Sequence, residues 1–175
     1  GESCATLVAV PREHLARLQA ALEAAQLRPL SLSFGITALQ SPASDPAQGT
    51  LALLAGQESI GLLLTTGGGV VALRTIDGAF EHEGGTALLQ TDQLAREIRI
   101  TLGQLSPDIR ESVRRLVVLG QGDRADELAA ALREPARALD LQVDRVREYA
   151  HTHNGVQTPP GTPVSPALGL ALGHL

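Results

Sequence analysis

A chain of 175 residues that is 43% hydrophobic and 19% charged, with a formal net charge of −5, can bury the cores of one or two small domains; this excludes a coiled coil or a disordered tail. All 14 basic residues are Arg and no stretch gathers them, which excludes a phosphate-gripping lysine loop, a Schiff base and a nucleic-acid face. The 2% aromatic content removes base-stacking platforms, and a chain that opens on Gly1 and holds no Met reads as a piece of a longer protein.

Cys4 has no partner in the chain and reads as a small apolar strand residue in a reducing compartment. Residues 6–10 are a short apolar run. Pro11 then suits the first turn of a helix whose Leu15, Leu18, Leu22 and Ala25 share one face. After Arg28-Pro29, residues 30–34 predict a second strand and 35–40 a short helical turn. Residues 41–49 hold two Pro, an Asp and a Gly, and mark a boundary between two differently organised regions.

Beyond that boundary, 50–55, 60–65 and 70–76 read as three strands joined by short turns, an antiparallel meander. The segment 80–90 is too Gly-rich for a full helix. Thr91 is the candidate N-cap of a helix with Leu94, Ile98, Leu102 and Leu105 on one face. A shorter helix restarts at Ser106-Pro107-Asp108 and runs through Ile109 to Val113. Residues 116–119 form a buried-strand run ending in Gly120-Gln121-Gly122-Asp123, where Asp123 can cap a helix carrying Ala125, Leu128, Ala129 and Leu132. Residues 139–146 alternate as a final strand, 151–163 read as a surface loop, and Ser165-Pro166 starts a last helix ending near Gly173. No apolar window reaches the roughly 18 residues that a membrane span requires.

The first region is therefore β-α-β-α and the second β-β-β-α-α-β-α-β-loop-α, an α/β plan with a mixed sheet and flanking helices. This order resembles the actin/Hsp70/sugar-kinase superfamily. Within it the chain is most similar to the PilM-like assembly proteins of type IV pili and type II secretion. The residues that carry the resemblance are Leu7-Val8-Ala9-Val10-Pro11, Leu94-Ala95-Arg96-Glu97-Ile98-Arg99, Leu116-Val117-Val118-Leu119-Gly120-Gln121-Gly122 and Ala167-Leu168-Gly169-Leu170-Ala171-Leu172. The resemblance implies an actin-like (ribonuclease H-like) fold, with 1–41 as the C-terminal part of one subdomain and 42–175 as a complete second one.

In that superfamily an acidic residue two positions before a Gly, in the first hairpin of each half, orients metal and water at the phosphates. The matching position here is Leu54, in Leu54-Ala55-Gly56-Gln57-Glu58-Ser59, and an apolar side chain cannot bind Mg²⁺. Glu58 is the nearest substitute. Gly120-Gln121-Gly122 resembles the turn that admits adenosine, so Gly56, Gly120 and Gly122 are the cofactor-binding candidates if a nucleotide binds; otherwise the turn needs glycine for its own geometry. Thr65-Thr66-Gly67-Gly68-Gly69 lacks the Gly-Lys-Ser/Thr of a phosphate loop and reads as a hairpin turn. His151-Thr152-His153 offers two ligands, short of a zinc site, and no Gly-Xaa-Ser-Xaa-Gly elbow exists, so no catalytic or metal residue is assigned. Arg96/Arg99 and Arg114/Arg115 read as solvated faces, salt-bridged to Asp92 or Glu111.

The resemblance and the lost carboxylate together imply a non-catalytic scaffold module with no cofactor. Its partner would be a membrane-anchored pilus or secretion assembly protein, met at the cytoplasmic side of the bacterial inner membrane, with a homo-oligomer as a further option. The alternative is an ATP-binding or ATP-hydrolysing actin-like protein, or a sugar or acetate kinase relative, that uses ATP and Mg²⁺ with its carboxylate in the missing N-terminal part.

Overall fold

The stretch from Gly49 to Leu73 carries one charge, Glu58, and a run so apolar needs cover on both faces once it becomes sheet. The computed structural model describes residues 9–29, 35–37, 48–67, 69–84, 86–148, 152–153, 156–157, 159, 161–166 and 169. Contacts divide the chain into two units, Gly1–Phe34 and Gly35–Leu175. In the first, α1 (Arg12–Ala24) follows Pro11, which sits at the N-cap and not inside the first turn. The helix ends where Gln26 adopts a positive φ of 59°, letting the Leu27 N–H donate back to the Leu22 carbonyl at 2.8 Å. The strands expected over 6–10 and 30–34 fall largely or wholly outside the described residues.

In the second unit the meander forms as β1 (Gly49–Ala55), β2 (Ser59–Thr66) and β3 (Gly69–Asp77), paired antiparallel. Two further strands, β6 (Val113–Leu119) and β7 (Gln142–Arg145), add in parallel on the other side of β1, so the sheet order is β3-β2-β1-β6-β7. Between them run β4 (Phe80–Glu83), β5 (Thr86–Leu89), α2 (Thr91–Gly103) and α3 (Pro107–Ser112), with α4 (Gly122–Ala131) and α5 (Arg133–Arg137) crossing from β6 to β7.

One face of the sheet presents Leu51, Leu53, Ile60, Leu62, Leu64, Leu116 and Val118 to Leu94, Ile98 and Leu102 of α2 and to Ala125 and Leu128 of α4. Each fully buried Leu on that face contributes about 1.5–3 kcal/mol. The opposite face carries a smaller cluster, Val117, Leu119 and Val164 with Ala52, Leu54 and Val146. The β3 edge is tied to α2 by Arg74, which donates to Thr101 Oγ1 at 2.8 Å and Glu97 Oε2 at 3.1 Å. Among the described residues no helix is long and apolar enough to cross a membrane.

Several local expectations are corrected. The Gly-rich segment 80–90 is the β4–β5 hairpin, closed by the Gln90 N–H donating to the Ala79 carbonyl at 2.8 Å. Gln90, not Thr91, holds the N-cap of α2, and Gln121, not Asp123, that of α4; neither makes a side-chain cap bond. Asp123 lies inside the first turn of α4, where its charge suits the helix dipole. The helix expected to reach Val113 stops at Ser112, because Val113 is buried in β6 opposite Gly49. The final strand is shorter than 139–146, since α5 and a turn with Asp140 at φ 61° take its first residues. The expected loop 151–163 contains a two-residue pairing of β8 (Thr152–His153) with β9 (Val156–Gln157). Of the last helix, the described part shows the Gly169 N–H donating to the Ser165 carbonyl at 3.0 Å.

Candidate functional site

In sheets with parallel strands, ligands gather beyond the carboxyl ends of those strands. Here β1 and β6 are parallel neighbours, with Leu54 opposite Leu119, so their ends deliver the β1–β2 turn and the β6–α4 junction to one edge. Gly56 opens the first turn and donates its N–H to the Ser59 carbonyl at 3.0 Å. Gly120 and Gly122 make the second, at φ 122° and 71°, values that an L side chain rarely adopts. A Cβ built on Gly120 would stand 3.6 Å from the Ala55 carbonyl oxygen and from Ala125 Cβ. The structure therefore brings the three glycine candidates to the same corner of the sheet.

Arginines occupy that corner. Arg145, its side chain 14% exposed, donates from Nη2 to the Gly120 carbonyl at 2.9 Å, from Nη1 to the Val146 carbonyl at 2.5 Å, and from Nε to Asp126 Oδ1 at 2.8 Å. Arg147 reaches the other carboxylate oxygen, Oδ2, at 3.1 Å. Arg124, in the first turn of α4, donates to the Gln57 carbonyl at 2.6 Å and lies 5.5 Å from the centre of the Phe80 ring. The β1–β2 turn, the glycine junction and the end of β7 are thus stitched together by guanidinium groups bonded to the protein's own oxygens.

The Arg145 hydrogen bond, with Arg147 beside it, holds the Asp126 carboxyl below its ordinary value, outweighing the desolvation that acts the other way. A carboxylate with a lowered folded-state pKa stabilises the protein above the usual carboxylate range and loses that contribution as pH falls through the lowered value. Asp126→Asn is therefore expected to be less stable than the unsubstituted chain at neutral pH and to converge on it as pH falls through and below the usual carboxylate range. Urea unfolding at stepped pH checks this, and two parallel stability curves would refute it.

Leu54 is half-buried on the smaller face, packed with Val117, Leu119 and Val164, while Glu58 stands exposed in the β1–β2 turn. The Thr65–Gly69 segment is a hairpin connection as expected, with Thr66 paired to Gly69. Among the described residues no group of three or more His, Cys, Asp or Glu side chains is placed to hold a metal; Cys4 and His151 lie outside those residues, and the side chain of His153 is not described. The Arg pairs do not use the partners expected of them. Arg114 meets Asp140 at 3.4 Å and Arg115 meets Asp144 at 2.6 Å. The Arg145–Asp126–Arg147 group escaped the sequence reading; its trace is an alternating Arg-x-Arg at the end of a short strand, and its partner lies 19 residues back on a crossover helix.

No family model and no curated protein matches the chain. Among solved structures it is similar to a chain of a "PilM-PilN type IV pilus biogenesis complex", with a TM-score of 0.57 and 24% identity over 78% of this chain and 48% of that one. The fold is actin-like. A Bacteroides thetaiotaomicron protein of actin-like ATPase fold and unknown function is also similar, at a TM-score of 0.39 and 14% identity, over 65% of this chain and 36% of that one. The chain spans about half the length of the pilus-complex chain (48%). The sheet places Leu54, Gly56 and Gly120 around the carboxyl ends of β1 and β6.

Proposed function

We propose that this chain is a non-catalytic actin-like module of a type IV pilus or type II secretion assembly platform, acting by protein contact at the cytoplasmic side of the inner membrane on a membrane-anchored partner. The observation that carries the reading is Leu54. Where the resemblance calls for a metal-orienting carboxylate, β1 supplies a side chain packed among Val117, Leu119 and Val164, which offers Mg²⁺ no oxygen. The arginine stitching supports the same reading: the Gly120 carbonyl and the turn at Gln57 accept hydrogen bonds from Arg145 and Arg124, the protein's own side chains. Likeness of fold to the pilus-complex chain supports the cellular setting.

Calorimetric titration of Mg²⁺-ATP into the protein tests the claim, together with a phosphate-release assay. No saturable heat and no release above background is the expected result. Micromolar, Mg²⁺-dependent binding with turnover would overturn it in favour of an ATP-hydrolysing actin-like protein. A pull-down of the protein from its source cell that returns no pilus or secretion component would overturn the partner assignment.

A further inference from the structure

At the other end of β6, about 20 Å from the glycine junction by strand geometry, a half-open cavity of about 370 Å³ is framed by arginines from three different elements. Arg99 comes from α2, Arg110 from α3 and Arg114 from the start of β6. Its apolar lining is the partly exposed Leu139, with the edges of the core residues Leu102 and Val113 behind it.

These guanidinium groups are not consumed by the fold. Arg99 commits only Nε, to the Ala95 carbonyl of its own helix at 3.2 Å. The Arg110 guanidinium makes no hydrogen bond or ion pair among the described residues. Arg114 touches Asp140 at 3.4 Å, with side chains 55% and 90% exposed, a pair that contributes about 0–1 kcal/mol and exchanges cheaply for another carboxylate. Even with Glu111 in the lining and Asp140 at the rim, the spot is positive on a chain of net charge −5. Such a local reversal of sign steers and orients an anionic partner.

We propose that this cavity docks an acidic peptide segment of a partner protein, one apolar side chain entering over Leu102, Val113 and Leu139 while flanking carboxylates meet Arg99, Arg110 and Arg114. The apolar lining favours a peptide over a hydrated phosphate, which gains nothing from aliphatic side chains. The volume is at the small end of ligand pockets and suits one or two side chains. The site stands on this geometry and does not depend on the pilus reading.

Fluorescence anisotropy on the 175-residue chain tests it, with a fluorescein-labelled Asp-Glu-Leu-Glu-Asp peptide at low ionic strength. The expected result is saturable binding that falls with added salt, weakens about tenfold in Arg110→Glu and in Arg114→Glu, and is unchanged in Arg133→Glu on α5. Arg110→Gln serves as the milder variant if a charge reversal disturbs the melt. Four results would overturn the proposal: no saturable binding, equal affinity when Ser replaces the peptide's Leu, full affinity in the Arg110→Glu/Arg114→Glu double variant, or displacement by an equal concentration of inorganic phosphate.

Discussion

Gly120→Val is expected to lower the unfolding free energy by about 3 kcal/mol. The residue holds φ 122°, outside the range of a β-branched side chain, and that alone costs about 1–3 kcal/mol. The remainder comes from the γ-methyl groups, which would extend beyond a Cβ already 3.6 Å from Ala125 and 3.7 Å from Ala55 Cβ. Gly122→Ala is the control. Its φ of 71° is also left-handed, but nothing lies within 4 Å of the added atom, so the expected loss is about 1 kcal/mol of backbone strain. Denaturant midpoints of the two variants measure the difference directly. A Gly120→Val midpoint equal to that of Gly122→Ala would mean that crowding at Ala55 and Ala125 contributes nothing. A large loss at Gly120, in a protein that gives no saturable heat with Mg²⁺-ATP, would assign this glycine to the strand-to-helix turn itself.

Arg145→Ala is expected to cost about 3 kcal/mol, although Arg145 and Arg147 share one carboxylate. The difference between them is burial. Arg145 is 14% exposed and removes donors from Asp126 and from the Gly120 and Val146 carbonyls at once, groups partly shielded from water that could replace them. Arg147, 68% exposed, makes a surface contact to the same carboxylate, and Arg147→Ala is expected to lose less than about 1 kcal/mol. Guanidinium chloride would screen both contacts, so urea unfolding is the suitable measurement. Equal losses in the two variants would sink the argument from burial.

The meander was legible in the sequence because three nearly uncharged runs alternate with turn-rich connectors of a few residues, and local pairing needs no other information. The glycines of the β6–α4 junction were legible too, since Gly at a strand end signals backbone that other residues avoid. The β4–β5 hairpin was not. Phe80 to Glu83 is mostly polar and Gly84-Gly85 looks like loop, so neither the strand period nor apolar content marked it. Caps slipped by one or two residues because Thr91 and Asp123 have the right chemistry but fall inside the helices, where their side chains no longer reach the free N–H groups. The Arg99, Arg110 and Arg114 cavity was hidden for a different reason. No stretch of sequence is basic; three elements carry one cation each to the same end of the sheet, and only the crossover from α2 to β6 reveals it.

The parallel placement of β6 beside β1 also sets an order of events as the chain folds. Each hairpin of the meander joins neighbours and closes within microseconds, whereas Leu51 pairs with Leu116, 65 positions on, across a loop that must close before any contact rewards it. Arg145 sits one crossover later still, and its bonds to Gly120 and Asp126 are expected to form after the sheet's centre is assembled. The stability lost in Arg145→Ala should therefore appear as faster unfolding with little change in the folding rate. The arginine corner is then a kinetic lock on a sheet already built.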